Sequence, residues 1–243
     1  MRDTSPAGTE GGRQRRWGAR NWPEETLLGM LDPAAREQLS AAGEDRRYRA
    51  GQVLMREGER GDFVLVLLGG VVKAIGAAFE GRDVLLAVRM SGDLVGEFAA
   101  MDRRPRSATV TACGPVSALW IPVSRFRNCL RQEPRIATAV TASITGKLRA
   151  ANSYRVDFAG CDAATRMTRA LYQLAMTYGQ RHGEDAVLRL PVTQSELSTL
   201  CGVADQTGHR VLRELRSAGV ITTGYRAIWV GDLDRLRRTV FGE

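Results

Sequence analysis

Near residue 134 the hydrophobic period of this chain changes from that of strands to that of a helix, and the change limits what it can fold into. From Tyr48 to about Val123 the apolar residues come in short, β-branched runs: Gln52 to Met55, Phe63 to Leu68, Val71 to Ile75, Val84 to Val88, Ala108 to Ala112 and Val116 to Ile121. Glycine punctuates them at Glu57-Gly58, Leu68-Gly69-Gly70 and Glu80-Gly81-Arg82-Asp83. Regularly spaced short strands of this kind build a β-sandwich or a jelly roll. From Pro134 to Phe158 the only glycine is Gly146, and Ile136, Val140, Ile144, Leu148, Ala151, Arg155 and Phe158 recur at steps of three or four. That spacing predicts one long helix with a stripe along it. Packing on its own β domain, or pairing with its copy in a dimer, would each satisfy the stripe.

Gly160-Cys161-Asp162 interrupts the helix and reads as a hinge. The chain therefore divides into an arm over 1–22, a β domain over 23–133, the long helix over 134–159 and a helical domain over 160–243. In this last part a helix runs from Arg166 to Tyr178, and Gly179 to Asp185 reads as a polar loop. Thr193 stands three residues before Glu196, the spacing of a capping box, so a helix follows from Gln194 to Leu200 with Leu197 and Leu200 inward. Cys201-Gly202-Val203 makes a turn. A second helix, starting at Ala204 or Asp205 and ending at Ser217, places Val211, Leu212 and Leu215 inward and Gln206, Arg210, Arg213 and Arg216 outward. This is the helix-turn-helix layout. Residues 219–230 then read as a β-hairpin turning at Thr223-Gly224-Tyr225, a wing, followed by a short helix from Leu233 to Arg238 capped by Asp232. An ordinary helical hairpin is the alternative; wing, capping box and central glycine together favour the helix-turn-helix.

Charge says less than pattern. The net charge of +8 is almost wholly arginine, because Lys73 and Lys147 are the only lysines. It spreads as +3 over residues 1–22, +3 over 23–159 and +2 over 160–243, so the total does not choose between nucleic acid, a membrane surface and a phosphorylated ligand. Geometry must concentrate it, on Arg210, Arg213, Arg216 and Arg226. The run Arg235 to Arg238 fits either a phosphate contact or a helix end favoured by positive charge. Residues 1–22 lack the apolar stretch of a secretory signal and read as a disordered, arginine-rich arm, with one or two short helices after it between Pro23 and Ala42. The longest apolar run, Phe63 to Val72, is too short for a bilayer span, which needs about 18 residues. Cys113, Cys129, Cys161 and Cys201 lie far apart without a C-x-x-C pair, which speaks for reduced cytosolic thiols and against a zinc ribbon or a disulfide framework. His182 and His209 are too few for a His-rich metal site or a histidine-based triad.

A β-roll, a long helix, a hinge and a winged helix-turn-helix, in that order, resemble the cyclic AMP receptor protein (Crp/Fnr) family of bacterial transcription regulators over about Tyr48 to Val230. The most specific residues are Gly96-Glu97-Phe98 followed by Arg106-Ser107-Ala108-Thr109, which look like the family's phosphate-binding cassette. The resemblance implies an α+β fold: an N-terminal cyclic-nucleotide-binding β-roll (jelly-roll), a long dimerisation helix and a C-terminal winged helix-turn-helix. The chemistry of the cassette is coherent. Arg106 offers a fork of N–H donors to a cyclic phosphodiester, Ser107 and the amides after Gly96 add donors, and Glu97 accepts from a ribose hydroxyl. Gly96 would let backbone approach phosphate closely. Phe98, Ala108 and Asn152 complete the candidate effector set. The implied effector is a cyclic nucleotide, cyclic AMP or cyclic GMP, with no required cofactor; a vestigial cassette is the other reading.

Two departures matter. Cyclic-AMP-responsive members carry a Thr-Ser pair on the long helix where this chain has approximately Ala151-Asn152, which leaves base identity open. They carry Arg-Glu-x-x-x-Arg on the recognition helix where this chain has Asp205-Gln206-Thr207-Gly208-His209-Arg210. Arg210 can pair with guanine and Gln206 with adenine, while Asp205 repels phosphate. The expected DNA-contacting residues are Thr193, Gln194, Asp205, Gln206, Thr207, His209, Arg210, Arg213 and Arg226, and the implied partners are double-stranded DNA at a palindromic operator, a second copy of the chain and RNA polymerase. No enzyme is expected: after the long helix about 85 residues remain, without a nucleophile motif, paired metal ligands or a phosphate loop. An iron–sulfur cluster is disfavoured because no cysteine precedes Cys113, and haem because the β domain has no histidine. Redox control through Cys113 or Cys129 is a further same-fold alternative.

Overall fold

The structure is a computed structural model that describes residues 21–78, 83–182 and 185–241. Two short helices, α1 (Leu27–Met30) and α2 (Pro33–Ala41), precede the strands. Asp32 caps α2 by accepting the Ala35 N–H at 2.8 Å. The arm expected over 1–22 lies outside the described residues except for its end, and there the expectation fails: Trp22 is buried in the core beside Leu27, Leu28 and Phe126. A large indole next to an apolar helix leaves water readily.

Two four-stranded antiparallel sheets follow. One has the order β1 (Glu44–Tyr48), β8 (Val116–Pro122), β3 (Phe63–Gly69), β6 (Leu94–Val95); the other has β2 (Val53–Met55), β7 (Thr109–Ala112), β4 (Val71–Ala77), β5 (Asp83–Met90). Successive residues of a strand face opposite ways, and β3 shows the result: Leu65 and Leu67 enter the core between the sheets, whereas Val64 and Val66 pack under the helices. The six expected runs are all strands. β1 was not legible because its residues, Glu44-Asp45-Arg46-Arg47-Tyr48, carry no alternation; Arg46 lies over the Trp120 ring at 3.9 Å. The turn expected at 80–83 falls mostly outside the described residues.

Between the β-roll and the long helix lies α4 (Val123–Gln132), which the sequence reading left unassigned; α3 (Glu97–Asp102) is the short helix of the cassette. The long helix α5 covers Pro134–Gly160. Its stripe divides in two. Ile136 and Val140 are buried against the β-roll with α4, but further along Leu148 is 60% exposed and Phe158 62% exposed.

The C-terminal part holds α6 (Ala163–Tyr178), β9 (Gln180–His182), β10 (Asp185–Leu190), α7 (Gln194–Leu200), α8 (Asp205–Ser217), β11 (Ile221–Gly224), β12 (Ala227–Val230) and α9 (Leu233–Phe241). Two details correct the sequence reading. The stretch taken as a polar loop at 179–185 contributes β9, and with β10 it widens the wing into a four-stranded sheet, β11-β12-β10-β9. The hairpin turns one residue later than expected, at Tyr225-Arg226, with Gly224 still paired to Ala227. At Gly224 a Cβ would stand 2.7 Å from the Trp229 ring, so the paired position has room only for glycine, and Arg226 takes the positive φ of 47°.

The helical domain is not free of the β-roll. Leu85, Val88 and Met90 of β5 belong to the same apolar cluster as Leu171, Leu197, Leu200 and Leu212. The Leu85 N–H donates to Thr199 Oγ1 at 3.1 Å, and Lys73 of β4 pairs with Glu196 of α7.

Candidate functional site

The cassette assembles at the junction of β6 and α3. Gly96 has φ 85°, and a Cβ there would stand 2.4 Å from Arg106 Nη1. The left-handed backbone already favours glycine, and Arg106 together with Met55 fills the space that a side chain would take. The Arg106 guanidinium is buried over the Phe63 ring and donates from Nη1 to the Gly96 carbonyl at 2.9 Å and from Nη2 to the Phe63 carbonyl at 2.6 Å. Burial lowers its pKa below the ordinary guanidinium value, and Asp62, Glu97 and Glu59 restore only part of it. Glu97 is buried too, and Lys147 of α5 reaches down to it: Nζ lies 2.7 Å from Glu97 Oε1 and 2.6 Å from the Leu94 carbonyl. Gly96, Glu97 and Arg106 therefore converge, with both Arg106 Nη atoms and Glu97 Oε1 bonded to the protein's own groups. Ser107 is exposed and Ala108 half-buried; Phe98 and Asn152 face solvent. Lys147, not Asn152, is the α5 residue that enters the cassette. Its only sequence signal was its rarity as one of two lysines.

The helix-turn-helix forms as its local chemistry dictates. Thr193 Oγ1 accepts the Glu196 N–H at 3.1 Å while Glu196 Oε2 accepts the Thr193 N–H at 2.8 Å, a complete capping box. Gly202, at φ 60°, turns the chain into α8. Val211, Leu212 and Leu215 are buried, and Asp205, Gln206, His209, Arg210 and Arg213 are exposed on the other side, with Thr207 half-buried. Arg210 pairs with Glu214 one turn on, at 2.9 Å, in solvent. Thr193 and Gln194 sit half-buried at the start of α7. Arg216 Nη1 donates to Thr223 Oγ1 at 3.0 Å and ties the end of α8 to the wing, whose tip presents exposed Arg226 beside Tyr225. Tyr225 was not singled out in the sequence, since nothing in its neighbours marks it.

Among the described residues, no helix is long and apolar enough to cross a membrane, and no cluster of three or more His, Cys, Asp or Glu is placed to hold a metal ion. Burial pushes the Cys113 thiol up to about 11 and raises Cys129 as well, so neither is a ready thiolate at neutral pH.

Comparison with known families matches both halves of this arrangement. Residues 45–143 match the cyclic nucleotide-binding domain, and residues 165–239 match the Crp-like helix-turn-helix domain. The chain belongs to the Crp/Fnr family. It is 26% identical over 208 residues to a CRP-like cAMP-activated global transcriptional regulator of Mycobacterium tuberculosis, covering 86% of this chain and 93% of that one. It is 23% identical to the cAMP-activated global transcriptional regulator CRP of Escherichia coli, covering 76% of this chain and 88% of that one. Among solved structures, FixK2 from Bradyrhizobium japonicum superposes with a TM-score of 0.69 at 19% identity, covering 81% of this chain and 96% of that one. Family membership makes the protein a DNA-binding transcription regulator with a cyclic-nucleotide-binding domain, and not an enzyme.

Proposed function

We propose that this Crp/Fnr regulator acts as a cytoplasmic homodimer that binds a palindromic operator and whose DNA affinity is set by a cyclic nucleotide in the β-roll. One observation carries the DNA half: Gln206, His209, Arg210 and Arg213 stand exposed along the outer face of α8 while the opposite face is buried. A helix so exposed fits a major groove, with Arg210 and Gln206 at base edges and Arg213 and Arg226 toward phosphates. Dimerisation is supported by the uncovered second half of the α5 stripe, which a second copy of α5 would bury. Two recognition helices would then lie about one helical turn, roughly 34 Å, apart. RNA polymerase is a further partner that this role allows.

The effector half rests on Gly96, Glu97 and Arg106 converging at one short helix. A nucleotide switches the protein only if it binds one arrangement of the domains more tightly than another. The internal bonds of Arg106 and Glu97 favour a second reading, a regulator of the same fold whose cassette is filled by its own side chains and needs no effector. The test is a calorimetric titration of the full chain with cyclic AMP and cyclic GMP, followed by DNA-shift assays on a site obtained by randomised selection. The first reading expects saturable binding that Arg106→Ala abolishes; no binding at millimolar nucleotide removes it, and operator binding by the nucleotide-free chain then supports the second. Arg210→Ala is expected to weaken operator binding by about tenfold or more, from loss of a contact worth roughly 1–3 kcal/mol. Intact operator binding by that variant would remove α8 as the reading helix.

A further inference from the structure

The cassette and the DNA-binding domain meet at one buried side-chain pair. Asp93 lies immediately before β6 and is buried; its Oδ2 accepts the Met90 N–H at 3.0 Å and the Tyr178 hydroxyl at 2.8 Å. Tyr178 is the last residue of α6 and belongs to the helical domain. Its hydroxyl also lies 3.4 Å from the Val88 carbonyl of β5. Burial, with the Asp93 charge added, raises its pKa well above the ordinary phenol value, so it remains a donor. The segment from Asp93 to Glu97 is thus fastened at both ends. At one end Asp93 holds α6. At the other, Lys147 binds the Glu97 carboxylate and the Leu94 carbonyl together. Arg89 adds a charge common to both ends: burial works against it, and Tyr178, Asp93 and Glu97 outweigh that cost and hold its pKa above the ordinary value.

We infer that the Asp93–Tyr178 hydrogen bond is the joint through which the state of the cassette sets the position of the DNA-binding domain, with Tyr178 as a positioning residue. A five-residue segment held this tightly moves as one piece. Anything that weakens the hold of Glu97 on Lys147 lets Nζ drift from the Leu94 carbonyl as well, so that Asp93 shifts and α6 shifts with it. Lys73–Glu196, another polar contact between the domains besides Leu85–Thr199 and Thr177–Glu25, is a contrast. It joins β4 to α7, away from the β6 segment, and holds the domain down without communicating with Glu97.

The inference takes its output, DNA affinity, from the regulator reading above, and the experiment separates the two. Operator affinity of the full chain is measured for wild type, Tyr178→Phe, Glu97→Gln, Lys73→Met and the two doubles with Glu97→Gln. Tyr178→Phe keeps the ring and removes only the hydroxyl. Each of the first two variants is expected to change affinity by about fivefold, and their double to match either single, because both act through one joint. Lys73→Met and Glu97→Gln are expected to multiply. Multiplicative behaviour of the Tyr178→Phe double overturns the inference. A second readout needs no DNA: exchange of the Met90 amide, held by Asp93, is expected to speed up in both Glu97→Gln and Tyr178→Phe. Unchanged Met90 exchange in either folded variant also overturns it. A wild type that binds no DNA removes the regulator reading and leaves the exchange test to decide the joint.

Discussion

Replacing Gly208 with alanine is expected to loosen the helix-turn-helix by about 2 kcal/mol and to weaken DNA binding more than tenfold. Gly208 is the fourth residue of α8, and glycine inside a helix is a poor helix former, costing about 1 kcal/mol relative to alanine. Local preference therefore argues for alanine, and packing decides against it. A Cβ at this position would stand 1.9 Å from Ser198 Oγ and 3.0 Å from Ser198 Cβ of α7. Ser198 is fully buried and its hydroxyl donates to the Gln194 carbonyl at 2.9 Å. The hydroxyl can rotate away only by giving up that bond, worth about 1 kcal/mol, and the Cβ contact still forces the two helices apart. Spreading them moves the exposed face of α8 relative to α7, which is the geometry a major groove reads. Thermal unfolding gives the stability change, with a fall of several degrees expected, and Gly208→Ala combined with Ser198→Ala should recover part of it. A Gly208→Ala protein as stable as wild type would show that the helices part at no cost.

Gly208 also shows where sequence reading stops. As a letter it marks a flexible or weak helix; its reason is a serine ten residues earlier that only the α7–α8 crossing brings to it. The strands from Val53 to Ile121 were legible because their alternation reports two faces, and the capping box because Thr193 and Glu196 satisfy each other locally. β1 was not, since a charged edge strand carries no period. The contact of Leu85, Val88 and Met90 with the helical domain was invisible for a different reason: buried strand residues look alike whether their neighbours belong to their own sheet or to another domain. The cassette residues were identified by type and order, but their bonding was not. Arg106 was assigned to a phosphate and is found on two backbone carbonyls; Glu97 was assigned to a sugar and is found on Lys147. A donor's identity is written in the sequence, whereas its partner depends on which surface folds over it.

Lys147→Met is expected to destabilise the β-roll by several kcal/mol, although the residue lies at the edge of its core. Lys147 and Glu97 are 11% and 5% exposed as side chains, so both charges have left water. Such a pair contributes little net stability when intact, because desolvation offsets the attraction, but deleting one partner leaves the other charge buried alone at a cost of about 3–5 kcal/mol. Two features set where in that range Lys147→Met falls. Arg89 and Arg106 lie within electrostatic reach of Glu97 and soften the loss, while the Leu94 carbonyl, also served by Lys147, loses a donor. A value near the lower limit, about 3 kcal/mol, is expected. Glu97→Gln removes the carboxylate charge and keeps an oxygen acceptor for Nζ, so it should cost less. The double variant removes both charges together, and its stability should exceed that of Lys147→Met alone, since the uncompensated carboxylate is what that substitution creates. Chemical unfolding of the four proteins closes the cycle. If Lys147→Met and its double with Glu97→Gln unfold at the same denaturant concentration, the charge of Glu97 is not what Lys147 neutralises, and α5 is held to the cassette by packing and the Leu94 carbonyl.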